Sequence, residues 1–117
     1  MAPLTVSVSD GPAIIIGYEY RLQIEAEADL FPAMAQLAGQ LRSKVSAAQV
    51  LATLSIGNGG IRRMSVRTLE LVIPPETTAT LSPGSAVLDL VRTDLIPPRH
   101  LAFLLEIPVV RPVTRGL

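Results

Sequence analysis

The chain has no cysteine and no tryptophan, one histidine, and two residues each of tyrosine and phenylalanine among its 117. Without cysteine there is no disulfide and no thiolate metal site. With His100 alone, no histidine cluster can hold a metal. Tyr18, Tyr20, Phe31 and Phe103 are too few for the stacking platforms that carbohydrate and single-stranded nucleic acid exploit. Ten basic residues cancel ten acidic ones, so there is no basic footprint for nucleic acid. No window nears the ~18 uninterrupted apolar residues of a membrane-spanning helix. The longest candidate, 101–110, contains Glu106 and Pro108. The first residues lack the basic and apolar regions of a signal peptide, so an intact start made in the cytoplasm is expected, without membrane association.

Aliphatic residues are abundant instead. Hydrophobic residues make up 49% of the chain and mean hydropathy is +0.45. The core must therefore be aliphatic. So apolar a short chain is expected to hide surface against partners, as a homo-oligomer or a multi-copy component of an assembly. The length predicts one domain, 1–110, followed by a C-terminal tail, 111–117.

Period-two patterning dominates. Leu4 to Ser9 alternates, then Asp10-Gly11-Pro12 signals a turn. Ile16 to Glu27 alternates longest, with Tyr18, Tyr20, Leu22, Ile24 and Ala26 on one face and acids prominent on the other. Ile14-Ile15-Ile16 fits the same strand or a bulge leading into it. Further strands are predicted over 36–42, 49–56, 68–73 and 101–109, and one helical turn over 75–81. Gly57-Asn58-Gly59-Gly60 reads as a hairpin turn. Ile61 to Arg67 either continues that hairpin or forms a loop presenting basic side chains. Ile96-Pro97-Pro98-Arg99 reads as an extended connection. The stretch 81–95 is apolar on both alternating faces and reads as a central strand covered on both sides, flanked by 68–73 and 101–109. Seven to eight short strands with evenly spaced turns make an all-β sandwich or barrel.

The residues carry no recognisable catalytic set. His100, beside Pro97-Pro98-Arg99, reads as a strand-edge residue, since no partner for a general base is signalled. The acids neither pair nor form a calcium loop, and the glycine-rich turn lacks a phosphate loop's Lys-Ser/Thr ending. No catalytic, cofactor-binding or metal site is therefore expected, and the chain reads as a non-enzyme. Arg62, Arg63 and Arg67 are the one basic cluster, a solvated flank or a contact for an acidic partner. Asp89 interrupts an apolar run, and its carboxylate either reaches the sheet edge or, if buried, needs a cation. Arg42 is the candidate, giving a structural lock whose breakage would cost about 3–5 kcal/mol. The tail is too apolar for a solvated end, so Val109, Val113 and Leu117 are expected to meet a neighbouring subunit or complete a sheet edge.

Several segments stand in a recognisable order: "YEYRLQIEA", "AQLAGQLRSK", "VLATLSIGNGG", "LELVIPPETTATLSPGSAVLDLVRTD" and "VVRPVTRG". Over 18–115 the chain resembles small immunoglobulin-like proteins of tailed bacteriophages and prophages, including the N-terminal module of upper baseplate proteins. The shared features are a Leu-Arg strand, an Ile-Pro to Pro-Gly approach, an Asp-Leu strand and a closing Val-Thr. Leu88 stands where that pattern has an aromatic before the aspartate. The resemblance implies an immunoglobulin-like antiparallel β-sandwich and a structural role in a virion, docked on other virion proteins of the tail, baseplate or neck. A capsid decoration protein, or a soluble adhesion or glycan-binding sandwich, is the alternative.

Overall fold

The computed structural model describes residues 13–102 and 104–116, together with the backbone of residues 6–8. Leu4, Ser9, the 10–12 turn, Phe103 and Leu117, all used in the sequence reading, lie outside the described residues.

The fold is all-β. Ten strands and one short helix are described: β1 (Val6–Val8), β2 (Ile14–Ile15), β3 (Tyr20–Ala26), β4 (Leu37–Arg42), β5 (Ala52–Ser55), β6 (Ile61–Arg63), β7 (Thr68–Ile73), α1 (Pro75–Thr78), β8 (Gly84–Arg92), β9 (Arg99–His100) and β10 (Leu105–Val110). They form a four-stranded sheet, β1-β3-β7-β6, and a six-stranded sheet, β2-β10-β8-β4-β5 with β9 also on β8. Lettered in chain order, the first is the A-B-E-D sheet of an immunoglobulin-like sandwich. In the second, β4, β8 and β10 are the C, F and G strands. All pairs are antiparallel except β2 with β10, which run parallel. The expectation of seven to eight strands is low because runs read as single strands divide.

The division at the start of the chain has a clear cause. Ile14 is fully buried and pairs with Val109 in the six-stranded sheet, whereas Tyr20 pairs with Ile73 in the other. The chain must cross between sheets within five residues. Gly17, at φ +89°, supplies the positive dihedral for that crossing. Tyr18 therefore leaves the core face on which alternation placed it and is exposed. Thr78, the buried polar residue at the end of α1, locks the crossing. Its Oγ1 accepts from the Gly17 amide at 3.1 Å and donates to the carbonyl of Tyr18 at 2.8 Å, with the Pro75 carbonyl also in range at 3.1 Å.

The core lies between the sheets and is aliphatic. Leu22, Ile24, Leu69, Leu71 and Ile73 from one side meet Leu37, Leu41, Leu54, Leu88 and Leu90 from the other. Alternation along β3 and β7 matches the predicted faces. Gly39 allows β4 and β8 to approach. A Cβ there would lie 2.6 Å from the Asp89 carbonyl and 2.7 Å from Leu90 Cδ2.

Three expectations of pairing need correction. β8 is central, but its neighbours are β10 and β4, while β7 lies in the opposite sheet. Only its Ala86, Leu88 and Leu90 face is buried, and Val87, Asp89 and Val91 are half-covered on the outside. The 57–60 turn is not a hairpin: it carries the chain from β5 in one sheet to β6 in the other, and β6 pairs with β7. The 96–99 connection is bent, contains a cis Ile96–Pro97 peptide, and delivers the separate strand β9.

Candidate docking face

Each sheet has an outward face, and the six-stranded one carries the exposed apolar side chains Leu104, Val45, Val110 and Val113 beside or along it. Its rows follow from register. Val87 has Arg42 on one side and Glu106 on the other. Asp89 lies beside Gln40, which lies beside Thr53. Val91 lies between Ala38 and His100. Leu104, 56% exposed, and Val45, 70% exposed, rim a depression of about 130 Å³ that Val87, Gln40, Arg42 and Asp89 also line. Farther along, Ile15, Val110, Pro112 and Val113 line a shallow apolar groove beside Tyr18.

Asp89 is not a buried lock. Its side chain is 40% exposed, and its Oδ2 lies 2.8 Å from His100 Nε2. Arg42 does not reach it. The guanidinium instead donates from Nη1 to the carbonyls of Ala47 and Ala48, and from Nη2 to Gln40 Oε1. The physical reason is parity: Asp89 falls on the outward set of β8, so it never enters the aliphatic core. The His100 ring is fully engaged. The Ala102 amide donates to Nδ1 at 2.8 Å, so the ring proton sits on Nε2 and is donated to Asp89. Ala102 adopts φ +62° to make that contact. With both nitrogens committed, this pair fastens β9 to β8 and offers no free base.

The basic cluster is dispersed. Arg62 lies 3.6 Å from Glu70, Arg67 pairs with Asp29 at 2.7 Å, and Arg63 donates to the Phe31 carbonyl. Val109 points into the core at 3% exposure, so it is not a partner contact, whereas its neighbour Val110 faces outward. Val113 is 97% exposed, on a tail tethered by the Tyr18 hydroxyl, which donates to the Thr114 carbonyl at 2.8 Å.

The edge beside this face is partly capped at β5. Asn58 Nδ2 donates to the Thr53 carbonyl, and its Oδ1 accepts from the amides of Ser55 and Gly60. The Thr53 carbonyl and the Ser55 amide of β5 are thereby capped, a device that protects sheet edges. A second concavity, about 390 Å³, lies between β5 and β7. Leu51, Leu54, Val72, Ile73 and Pro74 line it, with no titratable side chain. Among the described residues, no three His, Cys, Asp or Glu side chains converge to hold a metal, and no helix is long and apolar enough to cross a membrane.

At the far end of β8, Asp94 accepts from Arg92 at 2.6 Å and from the Gln36 amide at 3.2 Å. The Arg92 hydrogen bond, helped by that amide, holds its carboxyl down to about 2, and the pairing raises Arg92.

Val87, Leu104, Val45 and Glu106 were missed as site residues in the sequence. An outward valine has the same letter as an inward one, and only pairing places 42, 87 and 106 in one row. Comparison with protein-family models finds no match, and comparison with curated proteins finds none either.

Proposed function

We propose that this chain is a non-enzymatic structural component of a phage-like virion, a tail, baseplate or neck accessory protein. It docks in several copies onto other virion proteins, having been made in the host cytoplasm. The observation that carries the docking reading is the outward face of β10-β8-β4. There Val87 and Val91 form the floor and Leu104 and Val45 stand proud, beside Val110 and Val113. Exposed apolar side chains set among polar ones on one sheet face suit a protein-binding surface. The virion half of the reading rests on the phage-like order of motifs from 18 to 115. The aliphatic core on short turns suits a rigid module that presents a face and performs no chemistry.

Mass spectrometry of purified particles from the producing cell tests this reading. Recovery of the chain at a stoichiometric level in intact particles is expected. Its absence from intact particles overturns the proposal.

A further inference from the structure

We propose that the first occupant of this face is a second copy of the chain, related by a two-fold axis that runs along β8 above Val87. The inference rests on the reading of the β10-β8-β4 face as a docking surface, and it names the partner. The row Glu106–Val87–Arg42 carries it. The two charges lie on either side of an apolar centre, roughly 10 Å apart across two strand spacings. The Glu106 side chain makes no ion pair or hydrogen bond among the described residues. Arg42 has no carboxylate partner among the described residues, and its contacts to Ala47, Ala48 and Gln40 hold the group in place without neutralising it. Of the five guanidinium N–H groups those contacts use three, leaving Nε–H and one on Nη2.

Symmetry then decides the arrangement. Consider two copies of the face stacked on each other. An axis along the strand direction exchanges left and right, so Glu106 of each copy lies over Arg42 of the other while Val87 meets Val87. An axis across the strands keeps left and right, placing Glu106 on Glu106 and Arg42 on Arg42. The row selects the first and penalises the second. The selected arrangement is also an isologous contact with aligned sheets, the normal geometry for face-to-face sheet packing. Closing it covers Val87 and brings Leu104 and Val45 under the partner. The face is small, so a dissociation constant in the micromolar range is expected, roughly 1–100 µM.

Sedimentation velocity on the full chain provides the test. The wild type should move from monomer to dimer as concentration rises. Glu106→Arg should weaken association about tenfold or more, because both cross-contacts become repulsive. Arg42→Glu should do the same, and combining the two changes should restore association. Arg42→Glu also removes backbone contacts, so the folded state of each variant is checked by circular dichroism. If it unfolds, Glu106→Arg and Val87→Asp, both at outward positions, carry the test alone. A wild type that stays monomeric to about 0.5 mM, well above the range for a specific contact, overturns the proposal. So does a Glu106→Arg variant that dimerises as well as the wild type. If the chain is monomeric but Val87→Asp is lost from particles, the two-fold contact is wrong and the docking reading stands. If the charge-swap pattern holds but the chain is absent from particles, the dimer stands and the virion reading fails.

Discussion

The outward faces of the two sheets solve the same problem in opposite ways. On the four-stranded sheet, Glu19, Arg21, Glu70 and Arg62 form a continuous ladder of ion pairs at 2.9, 3.0 and 3.6 Å. Those four side chains neutralise one another within the chain, while Glu25 on the same face makes no ion pair among the described residues. On the six-stranded sheet, Val87, Asp89 and Val91 of β8 face outward, and among the described residues the flanking Arg42 and Glu106 make no ion pair. Both sheets share the same inward chemistry of leucine and isoleucine. The two faces differ in charge pairing and in outward apolar character, so an apolar surplus is informative only once its face is known.

The largest effect is expected from breaking the sheet that carries the apolar face. Gly39→Val places atoms where the Asp89 carbonyl and Leu90 already stand. The β4–β8 pairing cannot relax around a backbone oxygen, so we expect a loss of about 3 kcal/mol in urea denaturation. Glu25→Ala, on the outward set of the four-stranded sheet, should stay within about 0.5 kcal/mol. Equal losses at the two positions would contradict the packing described. Next comes Thr78→Val, which keeps the shape but removes the hydroxyl that ties the crossing between the sheets. The Gly17 amide and the Tyr18 carbonyl lose a partner, and a loss of about 2 kcal/mol is expected by the same measurement.

A matched pair of carboxylates sharpens the contrast directly. Glu70→Gln and Asp89→Asn remove one acid from each outward face. Both groups form partly exposed pairs, so each change should cost less than about 1 kcal/mol. The cost at Glu70 should shrink further in about 0.5 M salt, since its two arginines are screened. A loss of several kcal/mol at Asp89 would restore the buried lock expected from sequence and refute the outward placement.

How much of this was legible before the fold? The inward faces of β3 and β7 were, because a half-buried strand repeats every two residues and their exposed sets are polar. So were the single turn of α1 and the limits of β7, where Pro74 and Pro75 end pairing. Asp89 was misread because its neighbours Val87 and Val91 are apolar although outward, which made the whole run resemble a strand covered on both faces. Periodicity alone does not distinguish an outward apolar position from an inward one. The sheet switch at Gly17 was also invisible. Ile14 to Ala26 reads as one pattern, and the break is fixed by a parallel partner, Val109 to Val110, almost a full chain length away. The Glu106–Val87–Arg42 row is the extreme case, since three residues far apart in sequence become neighbours only through register.

The smallest effect is confined to acid and belongs to the far end of β8. Asp94 bridges Arg92 and the Gln36 amide, and its carboxyl titrates at about 2 instead of 3.8. The folded value lies below the unfolded one. Its stabilising contribution is therefore fully present above the unfolded value and is lost as pH falls through the folded one. The group is water-exposed and paired with a residue two positions away, so solvent screening keeps the contribution small. Asp94→Asn should thus be slightly less stable than the wild type at neutral pH. The difference should hold steady down to about pH 5 and then close between about pH 4 and pH 2, as the wild type takes up its proton. Paired urea titrations at neutral pH, pH 4 and pH 2 measure this. A difference that persists undiminished at pH 2 would mean that the carboxylate's charge is not what holds the Gln36 loop to β8. The contact would then have to act through a hydrogen bond that the protonated carboxyl makes and asparagine does not.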